Sequence, residues 1–458
     1  MPITSYLSLY QNCRMHFFSR MALGAGLLLL VTTCSRKSNY QAFTHDPLLY
    51  ARTVKQLNNV VLENNFPPMV AARNYAYASI AGYECMAAGD PRFRSLSGQI
   101  RHLPPLPVPD TSEGPIDFPL AALLAFTKVG NAVTFPEGSL MEYHAQLLRQ
   151  ADSVGMPRAV RKRTEIFSDS IAAAILRWSR GDRYAETRGA EKYNVLHEPG
   201  RWVPTPPTYA SAIEPHWGRI RPLVLDSASQ FEIPRPPTVD LRNPNSVFYK
   251  ALLEVKVTGD SLTDEQQQIA AFWDDNPFMM HVKGHLMFAI KKFSPPGHWL
   301  NIVGIAAQTA GADVGTTAAA YAHTSIAFFD AFIRGWEEKY RSNYVRPETV
   351  INQHLDESWR PFIQTPPFPS YVSGHATNSA AAAEVMTHWF GDNLSITDTS
   401  LVEFGIPARI LPSFRRAAEE AALSRLYGGI HFRFDNDEGL KVGKQVGALV
   451  VERLQLKK

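Results

Sequence analysis

Apolar residues recur every three or four positions along most of this chain, and alternating runs of β-branched residues bounded by turns are scarce. That spacing lines one face of an α-helix and leaves little from which to build a sheet. The stretch "YARTVKQLNNVVLENNFPPMVAARNYAYASIAGYECMAA" carries it and is interrupted at Pro67 and Pro68, where a second helix is expected to start. "PLAALLAFTKVGNAV", "SLMEYHAQLLRQAD" and "PRAVRKRTEIFSDSIAAAILRWSR" continue it. Later come "GADVGTTAAAYAHTSIAFFDAFIRGWEEKY", "SGHATNSAAAAEVMTHWF", "SFRRAAEEAALSRLYG" and "EGLKVGKQVGALVVERLQ". Thr263, with Gln266 three residues on, forms a reciprocal capping pair at another helix start. The expectation is an all-α protein of two helical bundles, one over residues 35–255 and one over 256–458.

The 33 prolines concentrate in "LPPLPVPD", "VPTPPTY" and "IPRPPTVD", which read as extended connectors between helices. Residues 182–237 are expected to form a long ordered connection wrapped over the helices. A hydrophobic fraction of 45% against 19% charged residues is that of a folded globular chain. The net charge of +3, with no basic stripe, argues against a nucleic-acid partner.

Arg14 and Arg20 precede the apolar run "MALGAGLLLLV", which leads through "TTC" to Cys34. A basic region, a short apolar run and small residues before a cysteine read as a lipoprotein-type export signal over residues 1–34, with the lipid on Cys34. The run is too short to span a bilayer comfortably. The chain is therefore expected outside the cytoplasm, periplasmic or at the cell surface, with the true start at Met15 or Met21 as an alternative. Cys13 and Cys34 belong to this region, so Cys85 stands alone in the remainder and no disulfide framework is available. Its helical apolar setting reads as core packing.

Three segments of the second half concentrate groups that bind oxyanions. In "KYRSNYVRP", Lys339 and Arg346 are seven apart, which on one continuous helix places both on one face. In "FPSYVSGHATNSAAAAE", Ser373 stands at a helix start whose free N–H groups around Gly374 and His375 suit an anion. In "SRLYGGIHFRFDND", Arg425 closes a helical pattern, Gly428 and Gly429 break it, and His431 precedes Asp435 by four residues. That spacing lets Asp435 accept from one ring nitrogen of His431 and leave the other as a better ligand or nucleophile. Each segment alone reads as solvated cations, a plain N-cap or a structural hydrogen bond. Together they supply three cations, a serine at a helix N-terminus and two histidines, a set suited to a tetrahedral or trigonal-bipyramidal oxyanion.

The order Lys339, Arg346-Pro347, Pro369-Ser370-Tyr371-Val372-Ser373-Gly374-His375, Ser424-Arg425, His431 and Asp435 resembles the three-part signature of one superfamily. It unites vanadium-dependent haloperoxidases with type 2 phosphatidic acid phosphatases and bacterial acid phosphatases; Val372 replaces its usual proline. The length of the chain and its helical first half resemble the haloperoxidase branch, as do "AAFWDDNPF" and "FFDAFIRGWEEKY". The resemblance implies vanadate as cofactor, with His431 as its ligand and Asp435 holding the ring. Lys339, Arg346, Arg425, Ser373 and Gly374 would hold the oxygens, and His375 would serve as acid/base. Hydrogen peroxide, a halide (bromide, iodide or chloride) and a small organic acceptor are the implied reactants. The alternatives are a phosphatase, with phosphate in the same site and a phosphohistidine at His431, or an inactive scaffold. Phe368, Trp336 and Phe278 are candidates for the halide pocket or for plain core packing. Asp274 and Asp275 are expected to cap or bridge helices, and His281, His285 and His298 show no partner pattern.

Overall fold

The structure, a computed structural model, describes residues 39–134, 138–277, 280–283, 286–289 and 291–458. The expected export signal with Cys34 lies outside these residues, as do Phe278, His285 and the side chain of His281. Helices dominate, as the spacing predicts. The first half contributes α1 (Tyr40–Thr44), α2 (Pro47–Glu63), α3 (Pro68–Gly89), α4 (Phe118–Val133), α5 (Met141–Ser153), α6 (Arg158–Ser179) and α7 (Tyr184–Arg188). The second contributes α8 (Val247–Asp260), α9 (Asp264–Phe272), α10 (Pro295–Thr309), α11 (Val314–Ser342), α12 (Pro347–His354), α13 (Gly374–Phe390), α14 (Phe414–Tyr427) and α15 (Arg433–Arg453). Two small antiparallel pairs, β1 (Met280–Lys283) with β2 (Leu286–Ala289) and β3 (Ile396–Asp398) with β4 (Arg409–Leu411), and short 3-10 turns at Arg180–Asp182, Trp217–Arg219 and Val402–Phe404 complete the described elements.

Local chemistry sets the helix starts. Pro47 and Pro68 open α2 and α3, where a missing N–H costs nothing. Thr263 and Gln266 form the reciprocal box at α9, with Gln266 N–H donating to Thr263 Oγ1 at 3.3 Å and Thr263 N–H to Gln266 Oε1 at 2.9 Å. Residues 189–237 run almost without regular structure over the helices, as the prolines predict.

Helices α3 and α11 are buried along most of their lengths, α3 packs on α4 and α11, and α11 reaches α13 and α15. Asn58 of α2 donates to the Gly297 carbonyl of α10 at 2.9 Å, and Asp330 of α11 accepts from the N–H groups of Leu223, Val224 and Leu225. The hydrophobic core is therefore continuous across the expected boundary between 255 and 256, which falls inside α8. Helix α3, buried along most of its length, is covered in part by α11 from beyond that boundary. Cys85 sits buried on α3 with its thiol pKa raised by burial, a packing residue as expected.

Helices α13 and α15 meet through glycines. A Cβ at Gly443 would lie 2.1 Å from the Thr377 carbonyl oxygen, and one at Gly439 would lie 2.9 Å from that of Ser373. Only hydrogen fits there, so the two backbones touch and the N-terminal ends of both helices are held side by side. The Ser373 N–H donates to the Asp435 carbonyl at 2.9 Å across this junction.

Candidate active site

The segments singled out in the sequence converge on one cavity. Lys339 lies in the last turn of α11, which ends at Asn343 in the left-handed conformation with φ of 48°. The chain then runs extended to Arg346, the N-cap of α12. The two cations thus do not share a helix face, as the seven-residue spacing suggested; the turn at Asn343 brings them together instead. Ser373 caps α13, its Oγ accepting from Ala376 N–H at 3.4 Å. Arg425 occupies the last turn of α14, Gly429 turns the chain at φ of 78°, and Asp435 lies in the first turn of α15.

The cavity has a volume of about 40 Å³ and is lined by Trp336, Phe368, Gly374, His375, Arg425 and His431, with Asp274, Asp275, Asn276 and several prolines at its wall. It has room for roughly three water-sized groups, at ~10–15 Å³ each. A Cβ at Gly374 would come 3.3 Å from Trp336 Cζ3, so glycine keeps this wall open.

Hydrogen bonds fix the state of His431. Its Nδ1 lies 2.8 Å from Asp435 Oδ2, and its Nε2 lies 3.0 Å from Arg346 Nη1. A guanidinium only donates, so Nε2 is the acceptor and the ring proton sits on Nδ1, toward the carboxylate. Asp435 Oδ2 also accepts from the Ser370 hydroxyl and, at 3.3 Å, from the Phe432 N–H. Burial pushes the pKa of Asp435 up to about 6 against the opposing pull of Ser370, Lys339 and Arg346.

Arg425 lines this cavity, and two more buried cations, Lys339 and Arg346, lie beside its lining residues Phe368 and His431. Lys339 Nζ donates to the carbonyls of Pro369 and Ser370, each at 2.9 Å, which leaves its third proton. Arg346 donates to the carbonyls of Phe368 and Ile430, while its Nη2 is buried without a partner. Arg425 is held by Ser424 Oγ and the Trp273 carbonyl. Burial and the neighbouring Arg346 press the pKa of Lys339 well below its ordinary value; burial brings Arg346 down to about 9 and also lowers Arg425. Burial followed by the surrounding cations lowers both His375 and His431 well below the usual imidazole range. A bound oxyanion relieves this repulsion and gives Arg346 Nη2 a partner. The donor set therefore fits such a group.

Phe368 lies between the cations, its ring centre 5.0 Å from Lys339 Nζ and 5.1 Å from the Arg346 guanidinium carbon. Trp336 stands 5.0 Å from Phe368, and Phe332 5.3 Å from Trp336. Both candidate pocket aromatics are thus core residues and cavity walls at once.

Five residues to which the sequence assigned no role in the site belong to its surroundings. Ser370 supports Asp435. Asp275 lines the cavity, with Oδ2 3.9 Å from His375 Nε2 and Oδ1 2.9 Å from His298 Nδ1. The other nitrogen of His298 lies 2.8 Å from Asp398 Oδ2. Asp274 pairs with Lys292 at 3.1 Å. Asp275 thus bridges elements as expected, whereas His298 has two partners after all. Positions 275, 298 and 398 are too far apart in the chain for any short spacing to reveal the contact.

Residues 319–457 match the family described as the VCPO second helical-bundle domain. Among curated proteins, the vanadium chloroperoxidase of Curvularia inaequalis is 27% identical over 166 residues, a match spanning 25% of this chain and 27% of that relative's length. A bacterial vanadium-dependent chloroperoxidase in its holo form superposes with a TM-score of 0.64 at 18% identity, over 85% of this chain and 92% of that one, a likeness of fold. The crystal structure of a bacterial vanadium-dependent iodoperoxidase superposes with a TM-score of 0.84 at 41% identity. Since that similarity covers 90% of this chain and 97% of the iodoperoxidase, it runs through both halves of the fold, and the chain belongs to the vanadium-dependent haloperoxidase family of enzymes.

Proposed function

We propose that this protein holds vanadate through Lys339, Arg346, Ser373, Gly374, Arg425 and His431 and uses hydrogen peroxide to oxidise a halide, iodide before bromide or chloride. The observation that carries this reading is the gathering of three buried cations, Arg425 on a small cavity and Lys339 and Arg346 beside its wall, around an unprotonated His431 Nε2. When bound, vanadate supplies a Lewis-acidic centre that activates peroxide toward the halide.

The chain's own groups prepare that chemistry. Asp435 keeps the proton on His431 Nδ1 and so keeps Nε2 basic. The Ser373 hydroxyl, accepting only a long contact from Ala376, has its own proton free to donate. Lys339, Arg346 and Arg425 bind and orient oxygens. His375, 17% exposed at the cavity and neutral through burial, takes and returns the proton as peroxide enters.

Iodide is favoured by the lining. An anion seated against Phe368, Trp336 and the prolines loses its water, and that loss costs least for the largest and most polarisable halide. The similarity to an iodoperoxidase supports the same choice.

The superfamily's phosphatase chemistry would use the same groups, with His431 Nε2 as nucleophile and His375 protonating the leaving group. Similarity to haloperoxidases along the whole fold favours oxidation. Protein stripped of phosphate and reconstituted with vanadate should oxidise iodide with peroxide, and the metal-free form should show little phosphate-ester hydrolysis. Hydrolysis without oxidation overturns the assignment. Arg14, Arg20, the apolar run and Cys34 further support export with a lipid anchor. Among the described residues no helix is long and apolar enough to cross a membrane.

A further inference from the structure

His298 lies at the start of α10 with its side chain fully buried, packed on Trp273 at 5.0 Å and Phe272 at 5.3 Å between ring centres. Burial alone would strip its second proton. Instead each ring nitrogen has a carboxylate oxygen at 2.8–2.9 Å, from Asp275 before the cavity and Asp398 behind it. Both carboxylates are buried too, so the ring is clamped as an imidazolium between them. A packing histidine needs one partner; this arrangement fixes the direction of both oxygens of Asp275. Oδ1 is taken by His298, and Oδ2, buried with no hydrogen bond, is turned toward Nε2 of His375. His375 Nε2 is likewise buried and unpartnered. At 3.9 Å the two atoms stand just beyond hydrogen-bond distance and reach it with a shift of about 1 Å.

We propose that His298, clamped by Asp398, is a positioning residue for the acid/base step: it aims Asp275 so that a proton is held on Nε2 of His375 and Nδ1 is left to act. This rests on the reading of His375 as the acid/base group. No bond is made or broken at His298, whose own protons stay where they are. The other charges facing His375 are Arg425 of α14, the His298 imidazolium itself, Lys339 of α11 and Arg346, all cations that disfavour a second proton on the ring. Facing Asp275 is Arg425, with the Asp274–Lys292 pair beside it. Asp275 is thus the anion best placed to select the tautomer of His375.

The test uses full-length protein without vanadate, with histidines labelled in ¹⁵N and the His375 signals assigned by loss in His375→Ala. Ring ¹⁵N shifts at neutral pH give its tautomer ratio, and thermal melts confirm folding. Wild-type protein should hold mainly the Nε2–H form, with His298→Gln and Asp275→Asn each moving the ratio toward Nδ1–H by roughly tenfold. In vanadate-loaded protein His298→Gln should lower kcat by roughly tenfold and add nothing in the Asp275→Asn background, because it acts through that residue. A folded His298→Gln protein with an unchanged tautomer ratio overturns the proposal, and so do losses that multiply in the double variant. Should His298→Gln not fold, Asp398→Asn must move the ratio the same way, and an unmoved ratio there is equally fatal. Full iodide oxidation by His375→Ala would instead overturn the acid/base reading, a separate result because the tautomer is read without vanadate.

Discussion

Asp435 Oδ2 receives the Nδ1 proton of His431 at 2.8 Å, and both side chains are almost wholly excluded from solvent. The same oxygen takes the Ser370 hydroxyl, so one buried atom sets the tautomer of the histidine proposed to bind vanadate. Replacing Asp435 by Asn keeps the shape but lets the amide donate, which turns Nδ1 into an acceptor and moves the ring proton to Nε2. Vanadate affinity should fall about 10–100-fold. Ser370→Ala should cost less, about 1–3 kcal/mol of stability for the bond removed, with a smaller loss of affinity. Equilibrium vanadate titration checks both, and wild-type affinity in Asp435→Asn would refute the assigned tautomer.

The cations around the cavity destabilise the free protein through mutual repulsion, so an oxyanion should stabilise it. Inorganic phosphate or vanadate at a hundred times its dissociation constant should add about 2.7 kcal/mol, read as a rise in melting temperature. Arg346→Ala, which removes a guanidinium with an unpartnered Nη2, should abolish most of that rise. An equal rise in the variant would place the anion elsewhere.

His298 gives stability a signature in alkaline solution. Its pKa is raised to about 10, because the Asp275 and Asp398 carboxylates outweigh the cost of burying the charge. A folded pKa above the unfolded one means stability fully present below about pH 6.5 and lost as pH rises through 10. Urea unfolding of the wild type should weaken over this window by an amount on the order of a few kcal/mol, and the His298→Gln protein should lack that component. Parallel curves would show that His298 is not charged in the fold.

Phe368 separates the Lys339 and Arg346 cations and forms one wall of the proposed halide pocket. Phe368→Ala should lower kcat/KM for iodide by about 10–200-fold while phosphate still raises the melting temperature, since the Phe368 carbonyl that holds Arg346 belongs to the backbone. Loss of both effects would assign Phe368 to folding instead.

Cys34→Ala should abolish incorporation of labelled fatty acid and release the protein from the membrane fraction of a bacterial host, leaving iodide oxidation unchanged. Retention of the label by the variant would refute the lipid site.

By itself the sequence determined what neighbours along the chain can decide. The three- and four-residue spacing forces helices, Thr263 with Gln266 and Ser373 mark helix starts, and four residues bring Asp435 to His431 through one turn of chain. The three-part order of cations, serine and histidines was legible for the same reason, each part being short and local. Tertiary structure decided the rest. The core crosses residue 255 because α3 must bury every side against other helices, which no reading of one segment reveals. Lys339 and Arg346 meet through the turn at Asn343 and not along a helix, and the α13–α15 glycine contact sets Ser373 beside Asp435. The clamp of Asp275, His298 and Asp398 joins positions 23 and 100 residues apart. Attraction between a buried imidazolium and two carboxylates is strong only once packing has excluded water from all three, and that exclusion is a property of the folded whole.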